Sequence, residues 1–178
     1  MTVQAHEQVT FCGYYPGVIG KIVELHAVYY HENWGFDLTF ETQVGSELST
    51  FMKEFDPHRD GFWVALIDGR FAGAVAIDAA RASHKGARLR WFIVEPRFQG
   101  RGVGHALLKK AVEFCRDRGY SPVFLWTFKG LEAARHLYER FGFRLHEEHL
   151  VEQWGGPLLE QKFELIPASI IDPTHHEE

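Results

Sequence analysis

The stretch VEPRFQGRGVGHALL, Val94 to Leu108, sets three alternating glycines, Gly100, Gly102 and Gly104, between an apolar strand and an amphipathic helix. Pro96 closes the strand. The helix is expected to run from the turn Gln99–Gly104 to about Arg118, with Val103, Leu107, Ala111 and Phe114 on its core face and Leu108, Val112 and Cys115 beside them. Glycine lets the backbone turn tightly and approach a ligand closely. A helix N-terminus adds unpaired N–H groups and a partial positive charge, so the junction reads as an anion site. A Rossmann fingerprint would need glycine at His105 or Leu107, and no acidic residue ends the following strand. A Walker A loop would need G-K-[ST], which does not occur. The residues alone therefore point to a phosphate-bearing ligand of open identity.

Upstream, Ala87–Val94 is the third strand of an expected antiparallel meander, after Phe62–Ile67 and Phe71–Asp78. Asp68-Gly69 is a two-residue hairpin signal between the first two. A loop, Arg81–Gly86, leads into the third. Before the meander lie a short strand, Val9–Cys12, and a helix opened by Pro16 and running to about Tyr30. Gly35 breaks that pattern. A second helix carries Phe40, Val44, Leu48, Phe51, Met52 and Phe55 and ends at Asp56-Pro57. Downstream, Gly119 suits a helix C-cap, Val123–Thr127 a strand, and Leu131–Phe141 a helix stopped by Gly142. Two last strands are expected near Phe143–Leu150 and Leu158–Leu165. The order is β-α-α-β-β-β-α-β-α-β-β, an α/β (α+β) fold with a mixed, mostly antiparallel sheet. Its one parallel crossover sets the glycine turn at the carboxyl end of a strand.

Length and composition fit this plan. The chain has 178 residues, 46% of them hydrophobic, enough for one domain. We expect a single domain, 1–178, with a core over about 8–166 and a fraying tail, 167–178. The formal charge of -5, from 24 acidic and 19 basic residues, gives nucleic-acid binding no electrostatic support. Two cysteines, Cys12 and Cys115, form no disulfide framework or zinc cluster and are read as buried thiols. No apolar run approaches the ~18 residues of a membrane span, and Met1–Gln8 lacks an apolar signal core. A cytoplasmic protein without membrane partners is the expectation. The eleven histidines are scattered: His26 and His31, His146 and His149, and His175-His176 each lack a third ligand, so no metal is expected.

Gln99-x-x-Gly102-x-Gly104 resembles the [QR]-x-x-G-x-[GA] signature of the GNAT N-acetyltransferases. Ala134-Arg135-His136-Leu137-Tyr138-Glu139-Arg140-Phe141-Gly142-Phe143 resembles their A-x-x-L-Y-x-x-x-G-F block, and the element order matches along nearly the whole chain. The chain is further similar to the GNAT module that some bacteria fuse to a MarR-type DNA-binding domain. Pro16-Gly17, His26, Tyr29-Tyr30, Gly35-Phe36, Phe40-Glu41 and Leu125-Trp126-Thr127 carry that likeness. No winged-helix segment precedes it, so the fused DNA-binding function is expected to be absent.

The resemblance implies the acyl-CoA N-acyltransferase fold and transfer of acetyl from acetyl-coenzyme A to an amine, small molecule or peptide, by direct attack on the thioester. It implies that the pantetheine arm pairs with Phe92, Ile93 and Val94. The pyrophosphate would rest on backbone N–H groups of Gly100, Arg101, Gly102, Val103, Gly104 and His105, with Gln99 of the signature also counted as cofactor-binding. A backbone N–H at about Val94 would serve the oxyanion. Tyr138 takes the general-acid position; a phenol of pKa roughly 10 can protonate a thiolate of about 8.5. Relatives often carry a glutamate base on the fourth strand. Ala87–Val94 has no acid, so Glu41 is the first candidate, with Glu32, Asp78 and His84 as alternatives. Leu131 stands where many relatives have a cofactor-touching asparagine. Tyr29, Tyr30, Trp34, Phe36 and Phe40 suit either an acceptor pocket or core. Relatives often dimerise through their C-terminal strands, which makes Leu158–Leu165 a candidate homodimer interface, with the oligomeric state itself left open. A non-catalytic acyl-CoA sensor is the rival reading, because of the missing strand acid.

Overall fold

The computed structural model describes residues 8–166. The expected tail 167–178, with His175-His176, and the leading segment up to residue 7 lie outside the described residues.

The Asp68-Gly69 turn joins strand β2 (Gly61–Ile67) to β3 (Arg70–Asp78), pairing Ile67 with Arg70. Both turn residues have positive φ, 50° and 72°, the conformation a two-residue hairpin requires. Strand β1 (Val9–Cys12) pairs with the other edge of β2, and β4 (Ala87–Val94) with β3, all antiparallel. The parallel strand β5 (Val123–Phe128) follows, then β7 (Gly156–Leu165) and β6 (Arg144–Gln153). The sheet order is β1-β2-β3-β4-β5-β7-β6.

Strand β3 shows why the sheet must be covered on both sides. Phe71 to Ile77 are all buried, and successive side chains of a strand face opposite ways. Val75 and Ile77 pack with Leu107, Leu108 and Ala111 of helix α4 (Val103–Asp117). Ala74 and Ala76 pack with Val18, Ile22, Leu48 and Phe51 of helices α1 (Val18–Trp34) and α2 (Leu38–Lys53). Helix α5 (Glu132–Arg140) adds Tyr138 to the α4 side.

Three expectations change. Helix α1 continues four residues beyond Tyr30, because no breaker intervenes before Gly35, whose N–H donates to His31 O at 2.8 Å. The loop 81–86 contains a helical turn, α3 (Ala82–Lys85). Strand β6 runs to Gln153 rather than Leu150 and turns through Trp154-Gly155 into β7. Most of β6 is exposed, so its sequence carries no apolar alternation to mark its length. In the candidate interface Leu158–Leu165 both edges of β7 are paired, and the open edge on that side belongs to β6.

Candidate active site

Strands β4 and β5 pair at two positions only, Ala87 with Val123 and Arg88 with Phe124. Beyond these the strands part. Register on β3 shows why: Arg90 faces Ala76 and Ile93 faces Ala74, so β4 carries one residue more than its partner over this interval. Trp91, at φ 46°, lies in this bulge. A bulge bends its strand and sharpens the twist, and β5 stays with β7 along its whole length. The gap becomes a cleft of about 850 Å³. Past Arg88, the β5-facing edge of β4 has no strand partner, leaving backbone groups able to pair with an extended amide-bearing ligand.

The glycine turn forms one wall. After a 3-10 turn, Pro96–Phe98, Gln99 Nε2 donates to Val94 O at 3.3 Å. Gly102, at φ 81°, is the N-cap of α4, and no side chain caps the helix. A non-glycine residue is strained at that φ. The N–H groups of the first turn thus remain free of a capping side chain beside the cleft. Phe92, Ile93, Val94, Gln99, Gly100, Gly102, Gly104 and His105 all line the cleft. Arg101 and Val103 do not. Val103 is buried in the core, leaving only its backbone for a ligand, and the Arg101 guanidinium lies 5.5 Å from the Phe98 ring centroid.

Tyr138 reaches the cleft from α5, its ring 5.9 Å from that of Phe92. The ring is buried, and its hydroxyl makes no hydrogen bond to a described residue. Burial, and then the neighbouring Tyr30 hydroxyl, push the Tyr138 pKa well above the ordinary tyrosine range, so the group is held as a neutral phenol. Tyr30 is shifted the same way by burial and by Tyr29.

Glu41 does not join them. It is exposed on α2 and is not among the cleft-lining residues, nor are Glu32, Asp78 and His84. At 100° per residue, Glu41 falls about 100° from Phe40 around the helix, outside the apolar stripe. Glu47 falls about 20° from Phe40, and it is Glu47 that faces the cleft. Glu160 of β7 is the other partly buried acid there. Opposite them stand Arg88 and Arg90, on one face of β4. Arg90 pairs with Glu47 and, at 3.2 Å, with Asp78, and lies 4.1 Å from the Trp91 ring centroid.

Tyr29, Tyr30, Trp34 and Phe40 line the cleft, whereas Phe36 sits behind them in the core. The β6–β7 tip folds over this wall: Trp154 O accepts from Asp37 N at 3.1 Å, and Trp154 Nε1 donates to Gln43 Oε1 at 2.9 Å. His26, also lining, is buried and bonded through Nδ1 to Ile22 O at 2.7 Å. Burial outweighs that bond and lowers its pKa to about 4. The cysteines lie elsewhere. Burial pushes the Cys115 thiol up to about 12 and raises Cys12, so neither is an activated thiolate. Among the described residues, no group of three or more His, Cys, Asp or Glu is placed to hold a metal, and no helix is long and apolar enough to cross a membrane.

Residues 20–143, which include the bulged strand and the glycine turn, match the acetyltransferase (GNAT) family. The chain belongs to that family. An uncharacterized N-acetyltransferase of Methanocaldococcus jannaschii is 36% identical over 99 residues, covering 53% of this chain and 43% of the relative. Human N-acetylaspartate synthetase is 42% identical over 83 residues, 47% of this chain and 27% of the relative. The matched stretch thus spans less than half of either relative. Among solved structures, the Escherichia coli ribosomal-protein-S18-alanine N-acetyltransferase superposes with a TM-score of 0.67 at 17% identity, covering 95% of this chain and 100% of that one. A Salmonella typhimurium acetyltransferase solved with acetyl-CoA gives 0.70 at 14% identity, covering 93% and 98%. At such identities these two establish the fold alone.

In this GNAT chain the sequence reading missed Glu47, Glu160, Arg88 and Arg90 as cleft residues. A signal existed for the last two, since an Arg-x-Arg alternation places both on one face of a strand. Glu47 was recoverable from the helical period. Nothing local marks Glu160, which reaches the cleft only through the pairing of β7 with β5.

Proposed function

We propose that the chain transfers an acetyl group from acetyl-coenzyme A to an amine by direct attack. The observation that carries this is the parting of β4 and β5 beside an uncapped helix N-terminus. It supplies an unpaired backbone edge for the amide-bearing arm and N–H donors for the pyrophosphate. Phe92, Ile93 and Val94 would hold the arm, and the backbone from Gly100 to His105 the phosphates. A backbone N–H of β4 near Val94 would stabilise the oxyanion. The neutral amine forms the new C–N bond as the C–S bond breaks. Tyr138 gives its proton to the departing sulfur. Burial raises the pKa of the phenol, and a thiolate released into the same cleft suffers the same penalty, so the donor remains matched to its task. The ammonium proton leaves toward Glu160, which makes no ion pair with a described residue.

Relatives named for N-acetylaspartate and for a ribosomal-protein alanine fit a small or a peptide acceptor. A coenzyme A sensor without turnover is the second reading, favoured by one observation: β4 turns arginines, not an acid, into the cleft. Calorimetric titration of acetyl-coenzyme A, with Gly102→Glu alongside, tests the proposal. Wild type is expected to bind, and the folded variant, with bulk and negative charge at the phosphate site, is not. No binding by folded wild type ends the acetyl-transfer reading. Binding without thiol release across an amine panel favours the sensor.

A further inference from the structure

Two arginines share one face of β4, and they differ in one respect. Arg90 is fully engaged by Glu47, Asp78 and the Trp91 ring. Arg88, two residues earlier, lines the same cleft, yet its Nε is buried with no hydrogen-bond partner, and its guanidinium makes no ion pair with any described residue. Burial first, and then repulsion from Arg90, lower its pKa from 12.5 to about 10, and the charges of Glu47, Asp78 and Glu160, none of them in ion-pair contact with it, offset this only in part. Unpaired charge in a partly desolvated site is costly, and natural structures pair such groups or use them. On β7, Glu160 also lines the cleft and makes no ion pair or side-chain hydrogen bond with a described residue.

We infer that the acceptor amine also carries a carboxylate, which Arg88 binds through its fork of N–H donors while Glu160 faces the amine end. This rests on the acetyl-transfer reading and names the substrate class for it: small zwitterions of the amino-acid kind. A planar guanidinium matches a carboxylate two bonds at a time. The cofactor's own phosphates are a poor alternative partner. Arg88 stands six residues before Val94, about 20 Å along the strand at 3.3 Å per residue, at the end away from the glycine turn. A doubly charged acceptor group is disfavoured as well, since Glu47, Asp78 and Glu160 all act on Arg88 and would repel it. Tyr29, Tyr30, Trp34 and Trp154 on the same wall leave an apolar surface for the acceptor's side chain.

The test compares L-amino acids with their carboxamides, which keep the shape and remove the charge, as acceptors in a thiol-release assay. Phenylalanine, methionine and aspartate with their α-amides make a suitable set, assayed with wild type, Arg88→Met and Arg88→Lys. Wild type is expected to favour the acids by at least about tenfold in kcat/KM. Arg88→Met should raise KM for the acids about ten- to a hundredfold, as expected for loss of a charged hydrogen-bond pair. It should leave the amides nearly unchanged, and Arg88→Lys should restore part of the loss. Acetyl-coenzyme A affinity, titrated separately, should not change in Arg88→Met. Amides that serve as well as acids, or an equal loss for both in Arg88→Met, would overturn the inference while leaving acetyl transfer standing. If acetyl-coenzyme A binds but nothing turns over, the same acids are titrated into the coenzyme A complex. Binding that Arg88→Met abolishes upholds carboxylate recognition, and binding of none of them refutes it.

Discussion

His26 gives a prediction whose magnitude follows directly from its surroundings. The imidazole is buried in the cleft wall, with Nδ1 bonded to Ile22 O and its ring 5.9 Å from that of Tyr30. In the folded chain its pKa is about 4, against 6.5 for an unperturbed histidine. The unfolded chain therefore takes up a proton below about pH 6.5 that the folded chain refuses. The stability this neutral histidine carries is complete at neutral pH and is lost as pH falls from about 6.5 toward 4. Between pH 7.5 and 5.0 the linkage amounts to about 2 kcal/mol, and at full extent to about 3 kcal/mol, at about 1.4 kcal/mol per pH unit. The perturbation is His26→Phe, which keeps a flat ring against Tyr30 and removes the titration. The variant leaves no orphan acceptor, because Ile22 O retains its helical N–H donor. Urea unfolding at pH 7.5 and 5.0, analysed at common slope, reads the effect. Wild type should lose about 2 kcal/mol more than the variant over that interval. Parallel losses, within about 0.5 kcal/mol, would refute the assignment of a desolvated neutral imidazole.

Tyr138→Phe should lower kcat by about a hundredfold, the low end for a general acid, with acetyl-coenzyme A affinity unchanged by calorimetry; an unaltered kcat would remove Tyr138 from proton transfer. Gly73 faces Val94 across the ladder, and a Cβ there would sit 2.6 Å from Ile93 O and 3.0 Å from Leu107 Cδ1. Gly73→Ala must therefore push β4 into the cleft or away from α4. We expect about 1–3 kcal/mol of destabilisation, read by urea unfolding, and weaker acetyl-coenzyme A binding, read by calorimetry; wild-type values for both would show that the β3–β4 contact does not shape the cleft.

The two halves of the cleft differ in how much of them the chain displays locally. The half proposed for the cofactor is written in one continuous stretch, because a strand end, three glycines and a helix start all fall within fourteen residues. Phe92 through His105 could thus be named as candidates before any tertiary contact was known. Even there, the period hid one detail: Val103 is the first core residue of α4, so its side chain turns inward while its backbone faces the turn. The acceptor half is assembled from α1, α2, β4, β7 and the β6–β7 tip. No local pattern reports that Trp154 lies against Phe36 and Phe40, at ring distances of 5.0 Å each. The bulge at Trp91 is equally silent, since Ala87–Val94 reads as an unbroken strand and the extra residue shows only in its register with β3.

The same bulge separates the arginines proposed for the acceptor from the stretch proposed for the cofactor. Ahead of it, β4 is held by β3 and, as far as Arg88, by β5, and Arg88 and Arg90 project toward the α1–α2 side, where Glu47 meets Arg90. After it, β4 keeps β3 alone, and its free edge turns to the glycine wall. One inserted residue therefore divides a single strand into a stretch that presents charged side chains and a stretch that presents backbone. The backbone stretch suits a ligand built from amides and shared by a whole family. The side-chain stretch can be rewritten residue by residue without disturbing the ladder. An acid at Arg88 would give a base to the amine. On the proposed reading, the arginine found there instead gives a counter-charge, and the proton leaves by another carboxylate, for which Glu160, on the facing strand pair, is the group at hand.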